Sequence, residues 1–125
     1  MPLMKIANVQ PTGYAYSQAV LVSDATRLLF VSGQVPEDES GVVPDDFRSQ
    51  YRLAWRNVIM QLEAGGMTLD NLVKVTIYLS DRDLIEQSGG LRQEILGDRS
   101  PALTIVIVGI YDSVWLLEIE AVAAG

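Results

Sequence analysis

The sequence contains no cysteine and no histidine. Without cysteine there is no disulfide framework, and a cytoplasmic protein is the natural expectation. Without either residue, zinc sites built on His or Cys are ruled out, as are Ser-His and Cys-His nucleophilic systems. Acid–base chemistry must then come from Asp, Glu, Tyr, Lys, backbone groups or water. Lysine is scarce too, and only Lys5 and Lys74 could form a Schiff base. No apolar run approaches the roughly 20 residues of a membrane helix. The opening Met-Pro-Leu-Met-Lys lacks a signal-peptide core. Positive charge is also in deficit, with 9 basic against 16 acidic residues and a net charge of −7. That balance opposes phosphate binding over an extended surface. Neither nucleic acid nor a membrane is therefore an expected partner, and no metal or cofactor is implied.

What is present is one domain's worth of core. The chain has 125 residues, of which 49% are hydrophobic, so residues 1–125 read as a single domain. Its most apolar part is the C-terminal stretch from Ser100. Leu103 to Val108 is β-branched-rich and apolar except for Thr104, as expected of a strand buried on both faces. A connection follows over Gly109 to Ser113. Trp115 to Val122 is a second strand, interrupted by Glu118 and Glu120. Residues two apart on a strand share a face. Either that face is wet and both carboxylates are solvated, or one of them lines a pocket.

Earlier in the chain, Tyr16 to Val22 and Leu28 to Gly33 read as strands, and the short gap between them suggests a hairpin. Gly33 at a strand end would allow close approach of a ligand or of another backbone. Asp45 and Asp46 suit the cap and first turn of a helix. Phe47, Tyr51, Ala54, Val58 and Leu62 form its apolar stripe, and Gly65-Gly66 ends it. Arg48, Arg52 and Arg56, four apart, read as its solvated face. Asn71 to Ser80 is a strand with Val73, Val75, Ile77 and Leu79 on one face and Lys74, Thr76 and Tyr78 on the other. Asp81 to Leu96 reads as a second helix, weakened by Gly89-Gly90. The order is β-β-α-β-α-β-β, an α+β fold whose mixed sheet carries two helices on one face. A strand as apolar as Leu103 to Val108 wants cover on its second face as well, and another subunit would supply it.

Four segments in order carry a resemblance: Ala15-Tyr-Ser-Gln-Ala-Val20, Leu29-Phe-Val-Ser-Gly-Gln34, Ser100-Pro-Ala102 and Leu117-Glu-Ile-Glu-Ala-Val-Ala123. With Leu62 to Leu79, they make the chain resemble the reactive intermediate deaminase (Rid, or YjgF) family over nearly its whole length. The resemblance implies a chorismate-mutase-like fold, a homotrimer and three ligand clefts between subunits. It also implies hydrolysis of 2-imino or enamine acids to keto acids and ammonia. Carried over residue by residue, Tyr16 matches the pocket tyrosine and Ser32-Gly33 the pair lining the cleft. Glu120 matches the glutamate that positions the attacking water. Leu103 departs from the pattern, standing where the family's deaminases have an arginine that grips the substrate carboxylate. The expected function is hydrolysis of an imine, enamine or related metabolite, weak or absent on ordinary 2-imino acids. A non-catalytic trimer binding a small metabolite in the same cleft is the alternative. Ribonuclease activity, a label attached to the family, fits least. Arg99 could stand in for the missing arginine, although four residues of strand span about 13 Å.

Overall fold

A computed structural model describes residues 3–125. Six strands form one sheet: β1 (Lys5–Pro11), β2 (Ser17–Ser23), β3 (Leu28–Gln34), β4 (Leu72–Leu79), β5 (Ala102–Ile107) and β6 (Leu117–Ala124). Helices α1 (Phe47–Ala64) and α2 (Ile85–Leu96) occupy the two long crossovers. The strand order is β1-β2-β5-β4-β6-β3. β4 runs parallel to β5 and antiparallel to β6, so the sheet is mixed. The α+β class with a mixed sheet, expected from the sequence, is observed.

Two details of the expected order are corrected. β1 was not anticipated, because nearly all of its residues are exposed and it has no buried face to generate an apolar alternation. The hairpin joins β1 to β2, in register from Lys5 opposite Ser23 to Pro11 opposite Ser17. β2 and β3 do not pair at all, and β3 lies at the far edge against β6. Nor do β5 and β6 pair, because β4 is inserted between them. The short gaps in sequence therefore hid two excursions across the sheet.

The core lies between the sheet and the helices. Val75, Ile77 and Leu79 of β4 and Leu117, Ile119, Ala121 and Ala123 of β6 are buried there. They meet Tyr51, Ala54, Trp55, Val58 and Leu62 of α1 and Leu91 and Leu96 of α2. The α1 stripe is the one its spacing predicts, with Trp55 and Gln50 added. The Asp46 side chain accepts a hydrogen bond from the Ser49 amide at 2.9 Å. That bond caps the helix and holds the Asp46 carboxyl below its ordinary value of 3.8. Gly66, at φ 75°, turns the chain out of the helix in a conformation most side chains avoid. Arg48 and Arg52 reach Glu94, and Arg56 reaches Glu39, all on the surface. The basic stripe is thus a solvated, paired face.

Two bulges set which residues face the open side of the sheet. On β4, Leu72 lies opposite Ala123 but Lys74 lies opposite Val122. Two residues on one strand thus answer one on the other, so Leu72 enters the core while Lys74 points away from it. On β3, Val31 lies opposite Ala121 and Gln34 opposite Ile119, which leaves an extra residue at Ser32-Gly33.

Candidate functional site

Residues directly opposite on paired strands share a face. Thr76 is opposite Glu120 and in register with Thr104, which puts all three on the side without helices. There a cavity of about 320 Å³ is lined by Ser32 of β3, Lys74 and Thr76 of β4 and Glu120 of β6, with walls that include Phe30 and Val122. The bulge at Ser32-Gly33 brings the edge strand's hydroxyl to the same concavity as the carboxylate of β6.

The carboxylate is held. Tyr78 Oη donates a hydrogen bond to Glu120 Oε1 at 2.5 Å. Accepting from the phenol leaves Glu120 Oε2 available for another donor. The same contact raises the Tyr78 pKa above its ordinary 10.0, because a phenolate would meet the carboxylate; burial and the Glu118 charge add to the rise. Glu118 shares the open face but lies elsewhere. A methyl group placed on Gly33 would stand 2.0 Å from Glu118 Oε2, so this carboxylate rests on the bare backbone of Gly33. Glu118 borders a second hollow of about 250 Å³ with Tyr78 and the Val108–Tyr111 loop, and Glu120 borders both hollows.

Of the residues singled out in the sequence, Ser32 and Glu120 line one cavity on this face, while Gly33 lies against Glu118 instead. Tyr16 and Leu103 do not join them within one subunit. Leu103 is in register with Val75, which faces the core, so it lies on the opposite side of the sheet from Glu120, half-buried against the apolar cluster. Tyr16 precedes β2, and the Arg92 guanidinium lies over its ring at 5.8 Å from the centroid. Arg92 is only 5% exposed and donates to the Tyr14 carbonyl at 3.1 Å, which pins the turn carrying Tyr16 to α2. Arg99 is committed elsewhere. Its Nε donates to Asp70 Oδ1 at 2.8 Å and its Nη1 to the Leu96 carbonyl at 3.3 Å.

Sequence reasoning passed over Lys74, Thr76 and Tyr78 as cavity residues. Their alternation on β4 was visible, but the signal that mattered was the pairing of β4 with β6, which no local pattern reveals. Among the described residues no group of three or more His, Cys, Asp or Glu is placed to hold a metal ion. Among the same residues no helix is long and apolar enough to cross a membrane.

Known proteins share this architecture. Residues 7–125 match the family model described as Endoribonuclease L-PSP. A RutC family protein of Pyrococcus horikoshii, PH0854, is 36% identical over 110 residues, which cover 86% of this chain and 85% of the relative. The mitochondrial protein mmf2 of Schizosaccharomyces pombe is 35% identical over 115 residues, covering 90% and 89%. The crystal structure of YyfA from Yersinia pestis, a Rid-family protein of unknown function, superposes with a TM-score of 0.74 at 28% identity. That likeness covers 94% of this chain and 98% of YyfA.

Proposed function

Because the chain belongs to the endoribonuclease L-PSP family, which takes in the RutC and Rid proteins, we propose that it is a hydrolase of small imine- or enamine-type metabolites. The observation that carries the proposal is the cavity that gathers Ser32, Thr76 and Glu120, with Glu120 fixed by Tyr78. Glu120 orients a water molecule and takes its proton as the water oxygen adds to the imine carbon. That proton passes to the nitrogen to give a carbinolamine. Its hydroxyl then gives up its own proton to the nitrogen as the carbon–nitrogen bond breaks, so that ammonia leaves and a carbonyl remains. Ser32 and Thr76 supply hydroxyls that hold the polar end of the substrate or the water.

Tyr16 and Leu103 enter through assembly. In a homotrimer, the side of one subunit bearing Tyr16 and Leu103 abuts the open face of the next, closing a cleft over Glu120. Exposed Leu28 and Phe30, at 60% and 72%, supply apolar surface for that contact. Leucine at 103 leaves the cleft without the guanidinium that the family's deaminases present there. Hydrolysis of 2-iminopropanoate is accordingly slow. A non-catalytic metabolite-binding trimer is the second reading, favoured by the same leucine. Ribonuclease activity draws on the family's description alone, and the net charge of −7 works against it.

Light scattering tests the assembly, and a monomer at micromolar concentration would remove the shared cleft. Ammonia release from freshly generated imines tests the chemistry. Turnover that disappears in Glu120→Gln is the expected result, and turnover indifferent to Glu120 would overturn the assignment.

A further inference from the structure

We infer that Arg92 is a positioning residue, a buried cation that fixes Tyr16 for the cleft between subunits. The inference rests on the proposed cleft and deepens it by naming what holds one of its walls. Arg92 lies on α2 and is 5% exposed. The ion pairs among the described residues involve Arg48, Arg52, Arg56 and Arg99, and none involves Arg92. Its Nη2 donates to the Tyr14 carbonyl, while its Nε and Nη1 are buried with no hydrogen-bond partner in the protein. A buried guanidinium without a carboxylate destabilises a fold, and an apolar side chain of similar length would fill the space without that penalty. Stability therefore does not account for this charge.

The charge reaches the turn ahead of β2. Its guanidinium lies 5.8 Å from the centroid of the Tyr16 ring, within the range of a cation–π contact. Ala15, between the two tyrosines, is buried at φ 59°, a conformation that residues other than glycine seldom adopt. The Thr12 amide and hydroxyl both donate to the Tyr16 carbonyl, at 3.0 and 2.9 Å, and close the turn. These bonds fix the main chain, and the guanidinium adds a contact to the ring itself. Backbone held in a rare conformation by its surroundings is characteristic of sites that need a group preorganised. A strained turn and an unpaired buried charge thus converge on Tyr16, which lies on the side that closes the neighbour's Glu120 cleft in the proposed trimer.

Arg92→Met keeps the length of the side chain and removes the charge. Its denaturant unfolding should match or exceed the wild type's in midpoint. Its kcat for ammonia release from imines should fall roughly ten- to a hundredfold, with a smaller change in KM. Arg92→Lys, which keeps a cation, should recover part of the lost kcat. Adding Arg92→Met to Tyr16→Phe should slow turnover no further than Tyr16→Phe alone, because Arg92 acts through that residue. Magnetic resonance of isotope-labelled tyrosine reads the ring without any substrate. Arg92→Met should shift the Tyr16 signals and leave those of exposed Tyr111 in place. Failure of Arg92→Met to fold, no recovery in Arg92→Lys, additive losses in the double variant, or unmoved Tyr16 signals would each overturn the inference. Shifted Tyr16 signals in a protein that hydrolyses no imine would sink the hydrolase reading and leave the positioning role standing. Hydrolysis with unmoved Tyr16 signals would do the reverse.

Discussion

Ile119 and Glu120 are adjacent on β6, yet they belong to two different environments. Ile119 is fully buried against the helices, with Ile77 opposite it. Glu120 is half-buried on the open side, with Thr76 opposite. Every second residue along β4 and β6 repeats the contrast. Val75, Ile77, Leu79 and Leu117 lie on one face; Lys74, Thr76, Tyr78 and Glu118 lie on the other. The helix side is held by dry packing, so each residue there is constrained by volume. The open side has no covering layer of its own, so polar groups persist there and find one another across strands. One face holds the protein together, and the other is free to carry chemistry.

Stability should divide along that line. Ile119→Ala should lower unfolding free energy by about 2–5 kcal/mol, through lost burial and the cavity left behind. Thr76→Val, one face away, should change it by less than about 0.5 kcal/mol. Denaturant titration of both variants checks the contrast, and equal costs would break it. The next effect is on activity. Leu103→Arg should raise ammonia release from 2-iminopropanoate roughly ten- to a hundredfold, while lowering stability by inserting a charge against the apolar cluster. Because Leu103 and Glu120 lie on opposite faces of one subunit, the gain requires a neighbouring subunit. No gain in a well-folded trimer would contradict a shared cleft.

A smaller effect separates the open face by pH. The Tyr78 pKa is raised, chiefly by the hydrogen bond to Glu120. A raised pKa means that its contribution to stability is complete below the ordinary value of 10.0 and is lost as pH climbs through the folded value. Thermal unfolding of the wild type should therefore fall more steeply above pH 10 than that of Tyr78→Phe. Parallel curves would remove the Tyr78–Glu120 contact from the account. The smallest effect lies at the start of α1. The Asp46 pKa is lowered by the hydrogen bonds from Ser49, so its stabilisation is present near neutrality and is lost as pH falls below the ordinary 3.8. Asp46→Ala should melt slightly below the wild type at pH 7, and the gap should close in acid.

The dry face was the more legible in the sequence. The periods of Phe47 to Leu62 and of Val75 to Leu79 follow from burial on one side, and burial leaves a local pattern. Val73 was placed with that face, but the bulge after Leu72 buries Leu72 and leaves Val73 only half-buried. The open face was legible only in part. Glu118 and Glu120 stood out because charge interrupts an apolar run, and the family resemblance drew attention to Ser32 and Gly33. Lys74 and Tyr78 became cavity residues only through the pairing of β4 with β6, across more than forty residues of chain for the Tyr78–Glu120 contact. β1 left no signal because it buries almost nothing.

The central claim is that Glu120, held by Tyr78 in the open-face cavity, handles the water that splits an imine. Its most direct test is the rate of ammonia release from freshly generated imines by wild type, Glu120→Gln and Glu118→Gln at matched stability. The account predicts a fall of about 10²- to 10⁴-fold for Glu120→Gln and a much smaller change for Glu118→Gln. Equal losses in the two variants, or a larger loss for Glu118→Gln, would contradict it.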